Sequence, residues 1–169
     1  VFLGYTYKQI KEKEINLGLD LKGGMNVMLQ LEMSELVKSM ANDVVSPEFN
    51  QAIELAKSRE KESKGDFITL FGEAWEEVAP GQKLYPSFNV ANESKLRNGN
   101  KTTNEEVLEM LAAEAQSAID NSYNVVEKRI DQFGVAQPNI QKIGNTGRIL
   151  VELPGVTAPE RVRKLLQGT

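Results

Sequence analysis

Cysteine and histidine are both absent from the 169 residues. Without cysteine the chain forms no disulfide and no thiolate metal site. Without histidine it holds neither a Ser-His-Asp nor a Cys-His catalytic centre, and no histidine-based zinc site. The sequence also lacks an Asp-x-Asp-x-Asp-Gly calcium loop and a Gly-x4-Gly-Lys-Ser/Thr phosphate loop. We therefore predict that the chain is not an enzyme and that it needs no metal and no cofactor.

Long apolar runs are lacking as well, since no stretch approaches the roughly 20 apolar residues of a membrane span. The 20 basic and 24 acidic residues leave a net charge of -4, which argues against nucleic-acid binding. The chain opens at Val1 instead of a methionine. We therefore expect it to be a piece of a longer protein.

An alternation of side chains predicts the first main strand within residues 15–33. Val27, Leu29, Leu31 and Met33 point to one side and the residues between them to the other. A period of two is typical of a half-buried strand. Residues 1–33 are thus interpreted as a connector, with a short edge strand in 1–14, followed by this strand.

Residues 34–101 are predicted to form a mostly helical insert with its own apolar cluster, because their apolar residues recur at helical spacing. Phe67, Phe71 and Trp75 are spaced by four and eight, so they share one helix face. Packing in a small core is the favoured interpretation of these rings. The alternative is that they contact an extended polypeptide.

Residues 102–169 contain the strongest helix signals. Thr103 and Glu106 form a capping box, and an apolar stripe then continues to Phe133, with Gly134 placed to end the helix. A break near residues 120–122 would divide this helix in two. A hairpin over 138–155, with its loop at 145–147, and a last helix complete the segment.

Without the insert, the predicted order is strand, helix, strand, strand, helix. This order corresponds to an α+β, ferredoxin-like split βαβ fold, βαββαβ, whose last strand is cut off. The missing strand would leave an open sheet edge, and open edges recruit other strands. We expect this edge either to pair with a second copy of the chain or to be covered by a local segment within residues 1–14.

The most distinctive stretch precedes and enters the first main strand. It consists of Leu17, Gly18, Leu19, Asp20, Leu21, Lys22, Gly23 and Gly24. Its glycines permit a sharp turn or the close approach of another backbone. Two interpretations stay open, namely a strand entry with a glycine kink and a docking or joint element.

This stretch resembles the opening of the first large extracytoplasmic domain of the SecD family, which assists Sec-dependent protein export. Two further blocks, 125–138 and 147–155, follow in the family's order. Fused SecDF proteins share these motifs. The insert at 34–101 matches nothing that can be carried over from the family.

The resemblance implies the membrane-proximal base of a periplasmic domain in a multi-pass protein of the bacterial inner membrane. It implies assistance in the release and pulling of preproteins, driven by the proton gradient. The implied partners are SecF, or the SecF half of a fused protein, the SecYEG translocon and the preprotein. No catalytic residue is implied. Two other functions are weighed beside this one, a ferredoxin-like small-molecule sensor and a hydrolase that uses carboxylates.

Overall fold

The computed structural model describes residues 10–13, 24–63, 65–156 and 159–167. Clustering of contacts divides the chain into two compact units. Unit 1 consists of Val1–Glu32 and Gln116–Thr169, and unit 2 of Met33–Ala115. The mixture of helices with an antiparallel sheet confirms the predicted α+β class with a helical insert.

Unit 1 is built on a sheet of four strands in the order β1-β2-β4-β3. The strands are β1 (Ile10–Lys13), β2 (Gly24–Leu31), β3 (Asn139–Ile143) and β4 (Arg148–Pro154), and all neighbours are antiparallel. This arrangement is the predicted split βαβ order. The edge of β2 that the prediction left open is covered by β1. Among the described residues, therefore, a local segment from residues 1–14 pairs with this edge, which was one of the two predicted alternatives.

The core of unit 1 lies on one face of this sheet. Val27 and Leu29 of β2, with Ile149, Val151 and Leu153 of β4, are buried against helices α5 (Asn104–Phe133) and α6 (Pro159–Gln167). The helices contribute Val126, Ile130, Val162 and Leu166 to the same cluster. The alternation read from the sequence therefore marks the buried face of β2.

Helix α5 is continuous across residues 120–122, where a break was considered. It begins with the threonine half of the predicted capping box, because the backbone N–H of Glu106 donates to Oγ1 of Thr103 at 3.1 Å. The Glu106 carboxylate accepts from the Thr103 hydroxyl at 3.4 Å. It ends at Phe133, and Gly134 follows with a φ of 84°. A positive φ favours glycine at this position, as expected for a helix terminus.

Unit 2 contains α1 (Met33–Met40), α2 (Pro47–Glu62), α3 (Phe67–Val78), α4 (Tyr85–Phe88), a 3-10 turn at Gly99–Lys101 and the first part of α5. The side chains of Ser46 and Asp66 cap α2 and α3, respectively. Unit 2 extends past the predicted insert boundary at residue 101 to Ala115, since Val107 and Leu111 of α5 are fully buried.

Candidate functional site

The distinctive stretch is described only at its last residue, because Leu17–Gly23 lie outside the described residues. Gly24 begins β2 and pairs with Pro154 at the end of β4. A Cβ atom on Gly24 would lie 2.9 Å from the carbonyl oxygen of Leu153 and 3.0 Å from Cα of Pro154. Such distances are too short for any side chain, so glycine is required here by the close approach of two backbones.

The end of α5 lies at the same end of unit 1. Phe133 and Val135 are half-buried and pack against the core of that unit. The chain then turns through Gln137, whose φ of 54° is positive although it is not a glycine. The turn leads directly into β3.

Together these segments enclose a cleft of about 410 Å³, which we call the motif cleft. Its lining includes Phe133, Val135, Pro154, Gly155, Val156 and Arg161. The Arg161 guanidinium lies 5.6 Å from the centre of the Phe133 ring, a cation–π distance. The motif cleft is therefore mostly apolar, with one exposed cation on the first part of α6.

Helix α6 is also tied to α5 by a polar contact. Nη1 of Arg129 donates to the backbone carbonyl of Leu165 at 2.9 Å. Val162 and Leu166 on the same helix are buried in the core of unit 1. The wall of the motif cleft that α6 supplies is thus held both by packing and by a hydrogen bond.

Two of the three blocks of sequence that carry the resemblance line the motif cleft, and the last residue of the remaining block pairs with Pro154 of that lining. Gly24 closes the first block, residues 133–136 belong to the second, and Pro154 and Gly155 end the third. One hundred residues separate the first block from the second in sequence. The sheet register between β2 and β4 brings them together.

The aromatic residues singled out in the insert lie in the core of unit 2. Phe67 and Phe71 are fully buried, and Trp75 is 2% exposed. Phe71 meets Phe49 edge to face with ring centres 5.6 Å apart, and Phe67 stacks on Phe71 at 6.4 Å. Core packing is what the structure shows for these rings. The contact of these rings with a polypeptide stays a prediction.

Perturbed ionisable groups lie in two exposed ion pairs. A side-chain hydrogen bond from Arg59 lowers the pKa of the Glu77 carboxyl, and the same bond raises the pKa of Arg59. A hydrogen bond from Lys142 lowers the pKa of Asp120 in the same way. Both pairs join neighbouring elements of one unit, so they stabilise structure.

Within the described residues, no group of three or more Asp or Glu side chains is placed to hold a metal ion. None of the helices in this part of the chain combines the length and apolar character of a membrane span.

Comparisons with known proteins agree on one family. The model described as "Protein translocase subunit SecDF, P1 domain, N-terminal" matches residues 119–169. Protein translocase subunit SecD of Rhodothermus marinus is 37% identical over 97% of this chain. The subunits of Calditerrivibrio nitroreducens and Escherichia coli are 31% and 27% identical over 94% and 95% of it.

The chain spans only part of these relatives. It covers 26% of the Rhodothermus protein, 31% of the Calditerrivibrio protein and 26% of the Escherichia coli protein. No solved structure matches it. The relatives align with unit 2 as well as unit 1, because the matches extend over nearly the whole chain.

Proposed function

Since the chain belongs to the SecD family, we propose that it is a non-enzymatic, extracytoplasmic module of the Sec protein-export machinery. In this proposal it lies on the periplasmic face of the inner membrane, as the base of a domain in a multi-pass protein. It assists the release and pulling of preproteins by the proton gradient. Its partners are SecF, or the SecF half of a fused protein, the SecYEG translocon and the preprotein.

One observation supports this proposal above the others. Two of the family blocks line the motif cleft, and Gly24, the described residue of the remaining block, lies against Pro154 of that lining. A catalytic site would be expected to bring acidic, basic or metal-binding side chains together. The motif cleft instead brings together glycines, a proline and apolar side chains with one arginine. Such a surface suits mechanical attachment or docking.

The position of Gly24 gives the attachment a physical basis. Strand β2 is paired on both sides, over four positions with β1 and over seven with β4. The 17–23 segment is covalently continuous with this strand. A pull on that segment along the strand would load two hydrogen-bonded ladders in parallel, so the sheet would move as one body. We propose that residues 17–24 are the joint through which the base is held.

The test uses Asp20→Asn and Gly23→Ala in the full-length membrane protein, with export of a secreted reporter as the measurement. Glu109→Gln is the matched control, because it makes the same change from carboxylate to amide as Asp20→Asn, at an exposed residue of unit 2. We expect both joint variants to reduce export at normal protein abundance, and the control to leave export unchanged.

Gly24 is deliberately left out of that test, because a side chain there strains the sheet itself. Normal export by stably expressed Asp20→Asn and Gly23→Ala proteins would contradict the proposed joint. It would leave the base as a passive spacer.

A second candidate function, binding of a small effector, is favoured by the size of the motif cleft. Its volume of about 410 Å³ lies within the range of small-molecule pockets, about 300–1,000 Å³. Thermal unfolding across a metabolite panel distinguishes the two functions. An effector raises the Tm increasingly as its concentration exceeds its Kd, whereas a joint gives no shift with any metabolite of the panel.

A further inference from the structure

Unit 2 exposes apolar side chains next to the loop that joins α1 and α2. Among the described residues, Val44 at 86% and Val90 at 76% are the large hydrophobic side chains that are exposed. Val44 lies in that loop and Val90 follows α4. Single exposed valines are ordinary and do not by themselves indicate a binding site, so the residues around them matter.

The loop that carries Val44 is held firmly by Asn42. The Nδ2 group of Asn42 donates to the carbonyl of Pro86 at 3.0 Å and to Oδ1 of Asn89 at 2.7 Å. Its Oδ1 accepts from the backbone N–H groups of Val90 and Ala91, each at 3.1 Å. The backbone N–H of Asn42 also donates to Ser87. The exposure of Val44 is thus a fixed feature of the fold.

A groove of about 340 Å³ lies beside Val44. Val44, Val45 and Pro86 contribute apolar walls, and Trp75 lines it too, although little of the ring is exposed. The Trp75 indole N–H donates to the carbonyl of Gln82 at 2.9 Å, so the ring is held in place. The volume is at the lower end of the range for small-ligand pockets, which suits one or two aliphatic side chains.

The backbone along the groove has hydrogen-bonding groups to offer. Asp43, Val44 and Val45 make no backbone–backbone hydrogen bond within the described residues. Free main-chain groups beside side-chain pockets are the features with which proteins bind extended peptides, because the main chain provides affinity and the pockets provide selectivity. A small rigid ligand would leave these groups to water.

Charge favours a ligand of one sign. Residues 33–115 contain fifteen acidic and nine basic side chains, so unit 2 has a net charge of -6. Asp43 is exposed immediately before Val44, and Glu48 is half-exposed just beyond it. The one charged residue of the described lining is Lys83, whose Nζ donates to the carbonyl of Asn100 and keeps its positive charge. The net charge of unit 2, with Asp43 and Glu48 on either side of Val44 in sequence, therefore attracts a ligand whose basic groups lie outside the groove.

From these features we propose that the groove beside Val44 binds an extended polypeptide segment in which an aliphatic side chain is flanked by lysine or arginine. The choice of polypeptide as ligand rests on the proposed role in export. A second copy of the chain fits less well, since a stable interface buries about 800 Å² on each partner. Two valines, a proline and a narrow groove offer much less, so the contact is weak and short-lived.

The test titrates the 169-residue chain with a short synthetic peptide that has a Leu-Val-Leu centre and lysines at both ends. Trp75 is the sole tryptophan of the chain and lines the groove, so its emission reports binding directly. We expect a saturable change in emission. The same peptide with glutamates in place of the lysines should bind at least about tenfold more weakly.

Two variants locate the site. Val44→Ser removes an apolar wall and should weaken binding about tenfold, as expected for the loss of one buried valine side chain. Val90→Ser is the matched control, because it makes the same change at a similarly exposed position that does not line the groove. It should bind like the unaltered chain.

Several results would overturn the proposal. These are no saturable change with the lysine peptide, equal binding by the Val44→Ser and unaltered chains, equal losses in both variants, or tighter binding of the glutamate peptide. A peptide-free dimer that Val44→Ser abolishes would show that the occupant is a second copy. Export by the joint variants is measured separately, so failure of the groove and failure of the proposed function are distinguishable.

Discussion

Replacement of Gly24 by alanine tests the close approach of β2 and β4 at the motif cleft. The new Cβ would stand 2.9 Å from the carbonyl oxygen of Leu153 and 3.0 Å from Cα of Pro154, where ordinary contact begins near 3.4 Å. Both atoms belong to the backbone, so the two strands must separate by about 0.4–0.5 Å. Overpacking of this kind costs about 1–3 kcal/mol.

Alanine also restricts the unfolded chain, which returns about 0.4–1 kcal/mol of stability. The net expectation for Gly24→Ala is a loss of about 1–2 kcal/mol, which raises the opening equilibrium of unit 1 roughly 5- to 30-fold. The measurement is hydrogen exchange of the backbone amides of Leu29 and Val151, which lie in the paired strands. Their exchange should become faster in the variant.

Gly72→Ala is the control that separates a backbone clash from a side-chain clash. Its Cβ would lie 2.7 Å from Cδ1 of Leu108, which is the end of a flexible side chain and can rotate away. Within helix α3 the change gains about 0.8–1.0 kcal/mol of helix propensity. We expect unit 2 to keep or slightly increase its stability, as followed by Trp75 emission in urea.

Comparison of the two glycine variants tests whether a backbone clash costs more stability than a side-chain clash. If Gly24→Ala left exchange in β2 and β4 unchanged, or slowed it, the two backbones would not be as close as the structure places them. If instead Gly72→Ala were the more damaging of the two, side-chain adjustment at Leu108 would be harder than backbone separation, and the reasoning from atom type would fail.

Two further changes test the cores and the ion pairs. Phe49→Ala removes the ring that contacts Phe71 and Phe88 edge to face, with ring centres 5.6 and 5.7 Å apart. The variant should destabilise unit 2 by about 3–5 kcal/mol, as measured by urea unfolding followed by Trp emission. A loss below about 1 kcal/mol would contradict the tight packing. Asp120→Asn removes a carboxylate whose pKa is lowered by its hydrogen bond from Lys142, so the stabilisation is present above the ordinary aspartate range and is lost as pH falls through the lowered pKa. The two proteins should differ by no more than about 1 kcal/mol near neutral pH and converge in acid, because the pair is exposed; a difference that grows in acid would refute the assignment.

The continuity of α5 shows where tertiary contacts decide what sequence leaves open. Asn121 and Ser122 are weak helix formers, so a break near them was a fair alternative. In the structure Gln116 donates to Asp120 one turn later, and Lys142 of β3 holds the same carboxylate. Ser122 itself is buried. The bond from Lys142 comes from a strand that follows later in the chain, so local helix propensity does not predict it.

The sequence predicted that the open sheet edge needs a partner and offered residues 1–14 as one of two candidates, but it did not predict the residues that pair or their register. The missing strand of a split βαβ unit identifies which edge of β2 needs a partner. Residues 10–13, Ile-Lys-Glu-Lys, include only one apolar residue, so their pattern does not predict a strand. Their pairing with β2 is made by backbone groups, which every sequence possesses. Only the three-dimensional register from Ile10 opposite Leu31 to Lys13 opposite Met28 identifies them.

The end of α1 is not apparent from the sequence. Leu36, Val37, Met40 and Val44 have helical spacing, yet the helix ends at Met40 and Val44 is 86% exposed. The physical reason is the side chain of Asn42, which bonds to residues 86–91 and so takes the chain out of the helix. Partners more than forty positions away in sequence leave no periodic signal.

The two units differ in net charge, and the net charge of the whole chain does not show this difference. The whole chain has a net charge of -4, which indicated a mildly acidic, mixed surface. Residues 33–115 alone carry -6, so the remaining residues, with nine acidic and eleven basic side chains, carry +2. The acidic excess of the chain is therefore concentrated in unit 2, and the total charge hides this difference between the two units.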